Sequence, residues 1–528
     1  MSSLAGISPM PLVRWERWAW GALLAATLCI RLVNLGDRPL HHDESIHAWF
    51  TDHLVQNGEY KYDPVYHGPV QYYVNAVSFL IFRDSDFTAR LPAALGGTGL
   101  VLMALLLRAR FGSRTAFAAG VLMAFSPNLL YYTRFCREDV WTLLGTAGTF
   151  LFLDRWFRER RIASLVAASF WAVIAFASKE NFYVLLALMA PSVAVVFWEP
   201  GEGIVFWPKI RKLVDFLEVH TTAIVAALLF FFVLSEVLYT FFFVNMSSWN
   251  PAFDAISYWW GQHKVERVGG PKTFYLPRLL QYEFVIVLPA LVIAFRRLFG
   301  KSTPVDRFLA MWGIGSIGMY GYLGEKTPWL IVHQILPLIP FAAEFWGGLD
   351  FTGSKARTLV PVAGVASFVT ALSLSFWLPD LTPARERAES VIYVQTAPEV
   401  LAVVDDIRRV ARTGVDLAAS VDGEAGWPMS WYLRRLPVEW VAPQATRKPP
   451  VVLCDPAKEE EIAAILGPGY EKKQIPLRVW WVPETSLKPL MPTPGQLLSY
   501  LFTRKVWCPL GSTDIIVFRD ASRIPPKR

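Results

Sequence analysis

Apolar runs of about twenty residues recur between positions 15 and 378, and they constrain this chain more than any other feature. A helix needs about 20 mostly apolar residues to cross a bilayer, with a usable range of about 17–25. Candidate spans fall at 15–34, 91–107, 114–133, 139–156, 162–178, 182–198, 221–244, 280–296, 307–323, 328–347 and 358–378. Composition agrees: 54% of the 528 residues are hydrophobic, with 22 Trp and 36 Phe, against about 45–50% apolar in a soluble domain. The fold class expected is an α-helical polytopic membrane protein with about 11 transmembrane helices. No cleavable signal peptide is evident, and the stretch 18–33 is long enough to remain as an anchor.

The segment 68–82 (GPVQYYVNAVSFLIF) is apolar but short, and it carries Gln71 and Asn75. The positive-inside rule decides its status. With the N-terminus and its Arg14 and Arg17 in the cytoplasm, a non-crossing 68–82 places every basic short loop inside. These loops hold Arg108/Arg110/Arg114, Arg155/Arg158/Arg160/Arg161, Lys209/Arg211/Lys212, Arg296/Arg297/Lys301/Arg307 and Lys355/Arg357. A crossing 68–82 would turn them all outward. The segment therefore reads as a helix on the outer membrane surface. The chain after Leu378 is then extracytoplasmic, and the protein belongs in the plasma membrane. The organisation expected is a membrane domain over 1–380, with outer loops and juxtamembrane helices over 34–90, followed by a soluble domain over 381–528.

That tail reads as strand (415–421), helix (429–435), short strand (438–441), strand (451–454), helix (457–466) and strand (477–482), a small α/β domain. It has no glycine-rich phosphate loop and no nucleophile elbow, which favours a lid or docking role. The four cysteines, Cys29, Cys136, Cys454 and Cys508, have no metal-ligand spacing. Cys454 and Cys508 share the tail and either pair or stay as thiols. The formal charge of +7 comes without a basic block or aromatic-basic interleaving, so no nucleic acid partner is implied.

This topology gathers the out-of-place ionisable residues on the outer side. They are His41, His42, Asp43, Glu44 and His47; Arg134, Arg137, Glu138 and Asp139; Lys179 and Glu180; Gln262, His263, Lys264, Glu266, Arg267 and Lys272; and Glu325, Lys326 and His333. Charges at the bilayer edge are costly and mostly line a cavity or pathway. Blander readings exist for each. Carboxylates start helices favourably, and span-end lysines snorkel. The histidines lack a zinc spacing, since HDESIH is not HExxH.

The motifs RPLHHDESIHAWF, YYTRFCREDVWTLL, FASKENFYVLL and GEKTPWLIVHQILPL occur in this order. The ordered set over roughly residues 15–350 resembles the GT-C glycosyltransferases, a superfamily that includes protein O-mannosyltransferases and the bacterial aminoarabinose transferase. Within it, the chain is most similar to the flippase-activity-associated proteins of archaea and bacteria. The resemblance implies sugar transfer from a polyprenyl-phosphate carrier to an acceptor at the outer face. It implies Asp43, beside Glu44, as the principal carboxylate and Asp139 as a second acid. It also implies outer-face cations on the lipid phosphate: Lys326, Lys179, Arg134, Arg267 or His67. His42, Glu138, Glu325 and His333 would support them. The chain departs from the aminoarabinose transferase where that family has Lys before Pro, since His67-Gly68-Pro69 stands here.

The chemistry suits such residues. A carboxylate can accept a hydroxyl proton as the new bond forms, and cations, or a divalent metal ion, can stabilise a departing phosphate. Two other readings stand beside this one: a flippase or transporter component, against which no matched pair of broken helices is visible, and a non-catalytic membrane subunit. The sugar and the acceptor, whether protein, lipid or glycan, are left open.

Overall fold

The computed structural model describes residues 12–199, 202–262, 270–349, 388–485 and 492–527. The chain divides into two compact units. The first comprises Met1–Val33, Glu59–Val74 and Arg90–Pro379; the second comprises Asn34–Gly58, Asn75–Ala89 and Asp380–Arg528.

Up to residue 349 the structure is helical. In chain order come α1 (Arg14–Leu32), α2 (His42–Asn57), α3 (Val70–Phe82), α4 (Asp86–Met103), α5 (Arg108–Phe125), α6 (Pro127–Tyr132), α7 (Asp139–Glu159) and α8 (Ile162–Phe176). There follow α9 (Asn181–Ala194), α10 (Trp207–Tyr239), α11 (Trp249–Gln262), α12 (Tyr275–Tyr282), α13 (Phe284–Phe299), α14 (Pro304–Tyr322), α15 (Ile331–Ile335) and α16 (Ile339–Gly347). A two-stranded hairpin, β1 (Trp198–Glu199) with β2 (Gly203–Ile204), interrupts them.

The expectation of about eleven spans is corrected. Among the described residues, three helical runs are long and apolar enough to cross a membrane: Asp86–Phe125, Trp207–Tyr239 and Pro328–Gly347. A fourth exists if α12 and α13, bent by 108°, count as one. The reasons are local. The window at 91–107 and the part of 114–133 up to Phe125 fall in one helical run, kinked at Gly112 where φ is +81°, and the rest of the second window is the separate helix α6. Helices α8 and α9 have only 15 and 14 residues. Helix α1 carries Arg14, Glu16, Arg17 and Arg31; buried Arg31 donates to the Met123 and Ala124 carbonyls at the end of α5 (3.3 Å each). Helix α7 carries Asp139, Asp154, Arg155, Arg158 and Glu159. The window at 280–296 is broken at Glu283, a buried carboxylate that accepts from Ser126 Oγ (2.8 Å) and from both the backbone N–H and the Nδ2 of Asn128 (2.9 Å each). The window at 358–378 lies outside the described residues. A helix does form over Val70–Phe82, with 13 residues.

The ends of the first unit's helices differ in character. At one end Arg110 bridges Asp154 (3.1 Å) and Asp306 (2.9 Å), Arg108 pairs with Glu16 (3.0 Å), and Arg297 pairs with Glu344. These pairs join the starts of α1, α5 and α14 to the end of α7, and the end of α13 to the end of α16. Helix α7 then runs its 21 residues, about 30 Å at 1.5 Å per residue, to Asp139 at the opposite end.

The second unit is built on a six-stranded sheet of order β3-β7-β8-β6-β4-β5: β3 (Gln395–Thr396), β4 (Ala419–Val421), β5 (Val438–Glu439), β6 (Val451–Cys454), β7 (Glu471–Trp480) and β8 (Gly511–Arg519). Strand β4 is parallel to β5 and β6, and the remaining pairs are antiparallel. Helices α17 (Glu399–Ala411), α18 (Gly426–Tyr432), α19 (Glu459–Leu466) and α20 (Pro494–Thr503) complete it. All four residues of β6 are buried, which is why that strand reads as an uninterrupted apolar run. Cys454 and Cys508 are both buried thiols, not a disulfide. Cys454 packs with Ile462, Leu466, Ile516 and Phe518, and burial pushes its thiol up to about 11. Cys508 accepts from Trp481 Nε1 at 3.1 Å. Asp86 accepts from Trp431 Nε1 and the Tyr432 hydroxyl (2.8 Å each), Asp52 pairs with Arg435 (2.7 Å), and Asp84 pairs with Arg434 and Arg435. The early segments are thereby fastened to the tail.

Candidate active site

In the first unit, Asp139 begins α7 with Glu138 as the preceding cap residue. Its Oδ1 accepts from Lys179 Nζ (2.8 Å) and His333 Nε2 (3.1 Å), and its Oδ2 accepts from Arg137 Nε (3.3 Å). Asp139, Lys179 and Arg137 are all buried. The sequence separations are 40 residues to Lys179 and 194 to His333, so tertiary packing assembles this group. Arg137 also lies over the Trp329 ring at 4.2 Å, and His333 stacks on Tyr320. A carboxylate whose two oxygens already accept from three basic side chains is suited to fixing cations in place.

Glu138 is fully buried beside Asp139. Glu180 follows Lys179 and accepts from His67 Nδ1 (2.6 Å) and the Tyr62 hydroxyl (3.3 Å). His67 stacks on Trp259. Burial opposes protonation of His67, but the Glu180 and Glu138 carboxylates outweigh it and raise its pKa above the ordinary value. The local backbone explains the contact. Gly68 donates to the Ser178 carbonyl (3.0 Å) and Val70 to the Ala177 carbonyl (3.1 Å). A Cβ on Gly68 would sit 2.2 Å from the Ala177 oxygen; only glycine allows this approach.

Lys326 is buried, at 4% exposure, in the turn leading to the 3-10 segment Pro328–Leu330 that carries Trp329. Among the described residues no carboxylate lies within ion-pair distance of it. Its neighbour Glu325 is half-buried. Arg134 donates to the carbonyls of Ile30 (2.6 Å) and Val33 (2.8 Å), closing the C-terminal end of α1. Arg267 lies outside the described residues.

In the second unit, His41 caps α2. Its Nδ1 accepts from the Asp43 N–H (3.1 Å), and its own N–H donates to Glu44 Oε2 (2.9 Å), a reciprocal capping box with histidine as the cap. Glu44 is fully buried; His42 and Asp43 are half-buried. Sequence reasoning missed the residues of the tail that bond this turn, Tyr393, Gln395, Tyr432 and Arg478. They lie more than 350 residues away, and no local pattern marks them. Among the described residues no group of three or more His, Cys, Asp or Glu is placed to hold a metal ion.

A family model for dolichyl-phosphate-mannose-protein mannosyltransferases matches residues 66–234. A curated protein of Bacillus subtilis (strain 168), YkcB, described as a mannosyltransferase, is 31% identical over 157 residues, which is 29% of this chain and 21% of the relative. The matched stretch thus spans about a fifth of that relative's length. Among solved structures, ArnT from Cupriavidus metallidurans bound to undecaprenyl phosphate is similar with a TM-score of 0.58 at 16% identity, over 97% of this chain and 100% of that one. The oligosaccharyltransferase AglB from Archaeoglobus fulgidus, in complex with an inhibitory peptide and a dolichol-phosphate, is similar with a TM-score of 0.53 at 13% identity, over 87% and 69%. The chain shares its overall fold with these two structures.

Proposed function

We propose that this protein is a membrane glycosyltransferase that moves a sugar from a polyprenyl-phosphate carrier to an acceptor at the outer face of the membrane. The observation that carries the reading is the end of the first unit around Asp139. There Arg137, Lys179 and His333 converge on one buried carboxylate, in a GT-C fold whose solved relative ArnT holds undecaprenyl phosphate. Lys326, buried without a carboxylate partner among the described residues, is the side chain best suited to a phosphate, because charge-assisted contacts to phosphate are strong. In this reading Asp43 accepts the acceptor hydroxyl's proton as the oxygen–anomeric carbon bond forms. The bond from the anomeric carbon to the phosphate oxygen breaks, and the polyprenyl phosphate leaves as an anion held by Lys326 and Lys179. Asp139 keeps Lys179 and Arg137 aimed. Motif order assigns Asp43 and the first unit's cations to one reaction, and it favours the flippase-activity-associated group within the superfamily.

The same reading sets the orientation. In it the end that carries the ion pairs of Arg108, Arg110 and Arg297 is taken as cytoplasmic, the Asp139 end as facing outward, and the C-terminal sheet as extracytoplasmic. The test is incubation of the purified protein with polyprenyl phosphates carrying different labelled sugars. Release of free polyprenyl phosphate with label moved to an acceptor supports the proposal. Intact donors across the series, with acceptor extracts present, contradict it.

A further inference from the structure

The second unit binds a piece of its own chain residue by residue. Gln395 Nε2 donates to the Pro39 carbonyl (3.0 Å) and the Leu40 N–H donates to the Tyr432 hydroxyl (2.7 Å). His41 Nε2 meets the Tyr393 carbonyl (2.5 Å), and Arg478 donates to His42 Nδ1 (3.3 Å). Four consecutive residues, Pro39 to His42, each spend one hydrogen bond on the C-terminal domain. The next two residues are Asp43 and Glu44.

The bonds fix more than position. A carbonyl only accepts, so His41 carries its proton on Nε2; its Nδ1 is then the lone pair that receives the Asp43 N–H. A guanidinium only donates, so His42 Nδ1 is a lone pair and its proton also sits on Nε2. Both histidines before Asp43 are thus set in one tautomer by groups from the tail. Arg478 is the one side chain of this set that carries a charge. It stands on β7, is 7% exposed, and reaches Glu424 with its second terminal nitrogen. The fork of arginine serves both partners at once; a lysine can serve one.

We infer that Arg478 is a positioning residue for sugar transfer, acting from the C-terminal domain through His42 on the turn that carries Asp43. This rests on the reading of Asp43 given above. It makes the C-terminal domain part of the catalytic apparatus. A carboxylate displaced by about 1 Å loses about a hundredfold in rate, so the domain's grip bears on turnover while donor affinity, set elsewhere, is spared.

The test uses the full chain with Arg478→Met, Arg478→Lys, His42→Asn, His42→Gln and Asp43→Asn, assayed for transfer and by hydrogen exchange. Arg478→Met should lower kcat about tenfold or more, with donor KM changed less than about twofold, and should speed exchange in the peptide covering 39–50 while β6 and β8 stay protected. Arg478→Lys should recover part of kcat. His42→Asn, which keeps an acceptor near the Nδ1 position, should turn over faster than His42→Gln, which does not. If Arg478→Met and Arg478→Lys transfer like wild type while Asp43→Asn is dead, the inference falls and the assignment of Asp43 stands. If Asp43→Asn also transfers normally, the functional reading itself falls. Should Arg478→Met lose protection throughout the sheet, Arg478→Lys decides: unchanged kcat with folded β6 and β8 overturns the inference, and reduced kcat at constant donor KM sustains it.

Discussion

The Lys179–Asp139 pair offers a stability test whose size follows from geometry. Its 2.8 Å separation joins side chains that are 5% and 2% exposed. At an effective dielectric of about 20, two unit charges at that distance attract by about 6 kcal/mol, and removing both ions from water takes back several kcal/mol. A net coupling of about 2 kcal/mol remains. Lys179→Met leaves Asp139 with Arg137 and His333, so it should cost about 2–3 kcal/mol, below the 3–5 kcal/mol of a stranded buried charge. Asp139→Asn strands Lys179 and Arg137 together and should cost at least as much. The double variant removes the attraction and the stranded Lys179 charge at once, leaving only Arg137 without its carboxylate, and should fall short of the sum by about 2 kcal/mol. Unfolding free energies of the four proteins, measured by SDS titration in mixed micelles, close the cycle. A coupling below about 0.5 kcal/mol, the worth of an exposed pair, would refute the claim that this cluster is wired together away from water.

Lys326→Met keeps most of the stem and removes the charge; it should raise donor KM about tenfold, the loss of one charge-assisted contact, with acceptor KM unchanged, read from initial rates at varied donor and acceptor. Gly68→Ala places a methyl 2.2 Å from the Ala177 oxygen and should destabilise by about 1–3 kcal/mol, seen as a lower denaturation midpoint, whereas the neighbouring change Val65→Ala, at a partly exposed site, should not. The raised pKa of His67 means its contribution is fully present below the unfolded value of about 6.5 and is lost as pH rises through the folded value. The stability gap between wild type and His67→Gln should therefore shrink with rising pH in denaturation series run from pH 5 to 9.

The sequence made some of this legible and could not make the rest so. Asp139, Lys179 and His333 stood out because charges beside apolar runs are expensive, and the structure puts them in contact. Strand β6 and helix α19 formed where the pattern put them, because an apolar run and an amphipathic face are local signals. Strand β3, helix α17 and strand β8 lie outside the elements predicted for the tail; β3 is only two residues long. The span count failed because a hydropathy window does not see where a helix ends: α8 and α9 stop at 15 and 14 residues. Nor does hydropathy see the break at Glu283, which depends on Ser126 and Asn128 from elsewhere in the chain. Arg478 and His42, 436 residues apart, share no signal along the chain.

The central claim is that Asp43 takes part in moving a sugar off a lipid phosphate, and one comparison tests it most directly. Purified wild-type protein and Asp43→Asn are incubated with a polyprenyl-phosphate sugar that wild type consumes, and free polyprenyl phosphate is quantified over time. Loss of a positioned proton acceptor removes about 10²–10⁴-fold in rate, so the account predicts steady release by wild type and a rate at least about a hundredfold lower in the variant, with donor binding and unfolding midpoint unchanged. Release by Asp43→Asn at the wild-type rate would contradict it.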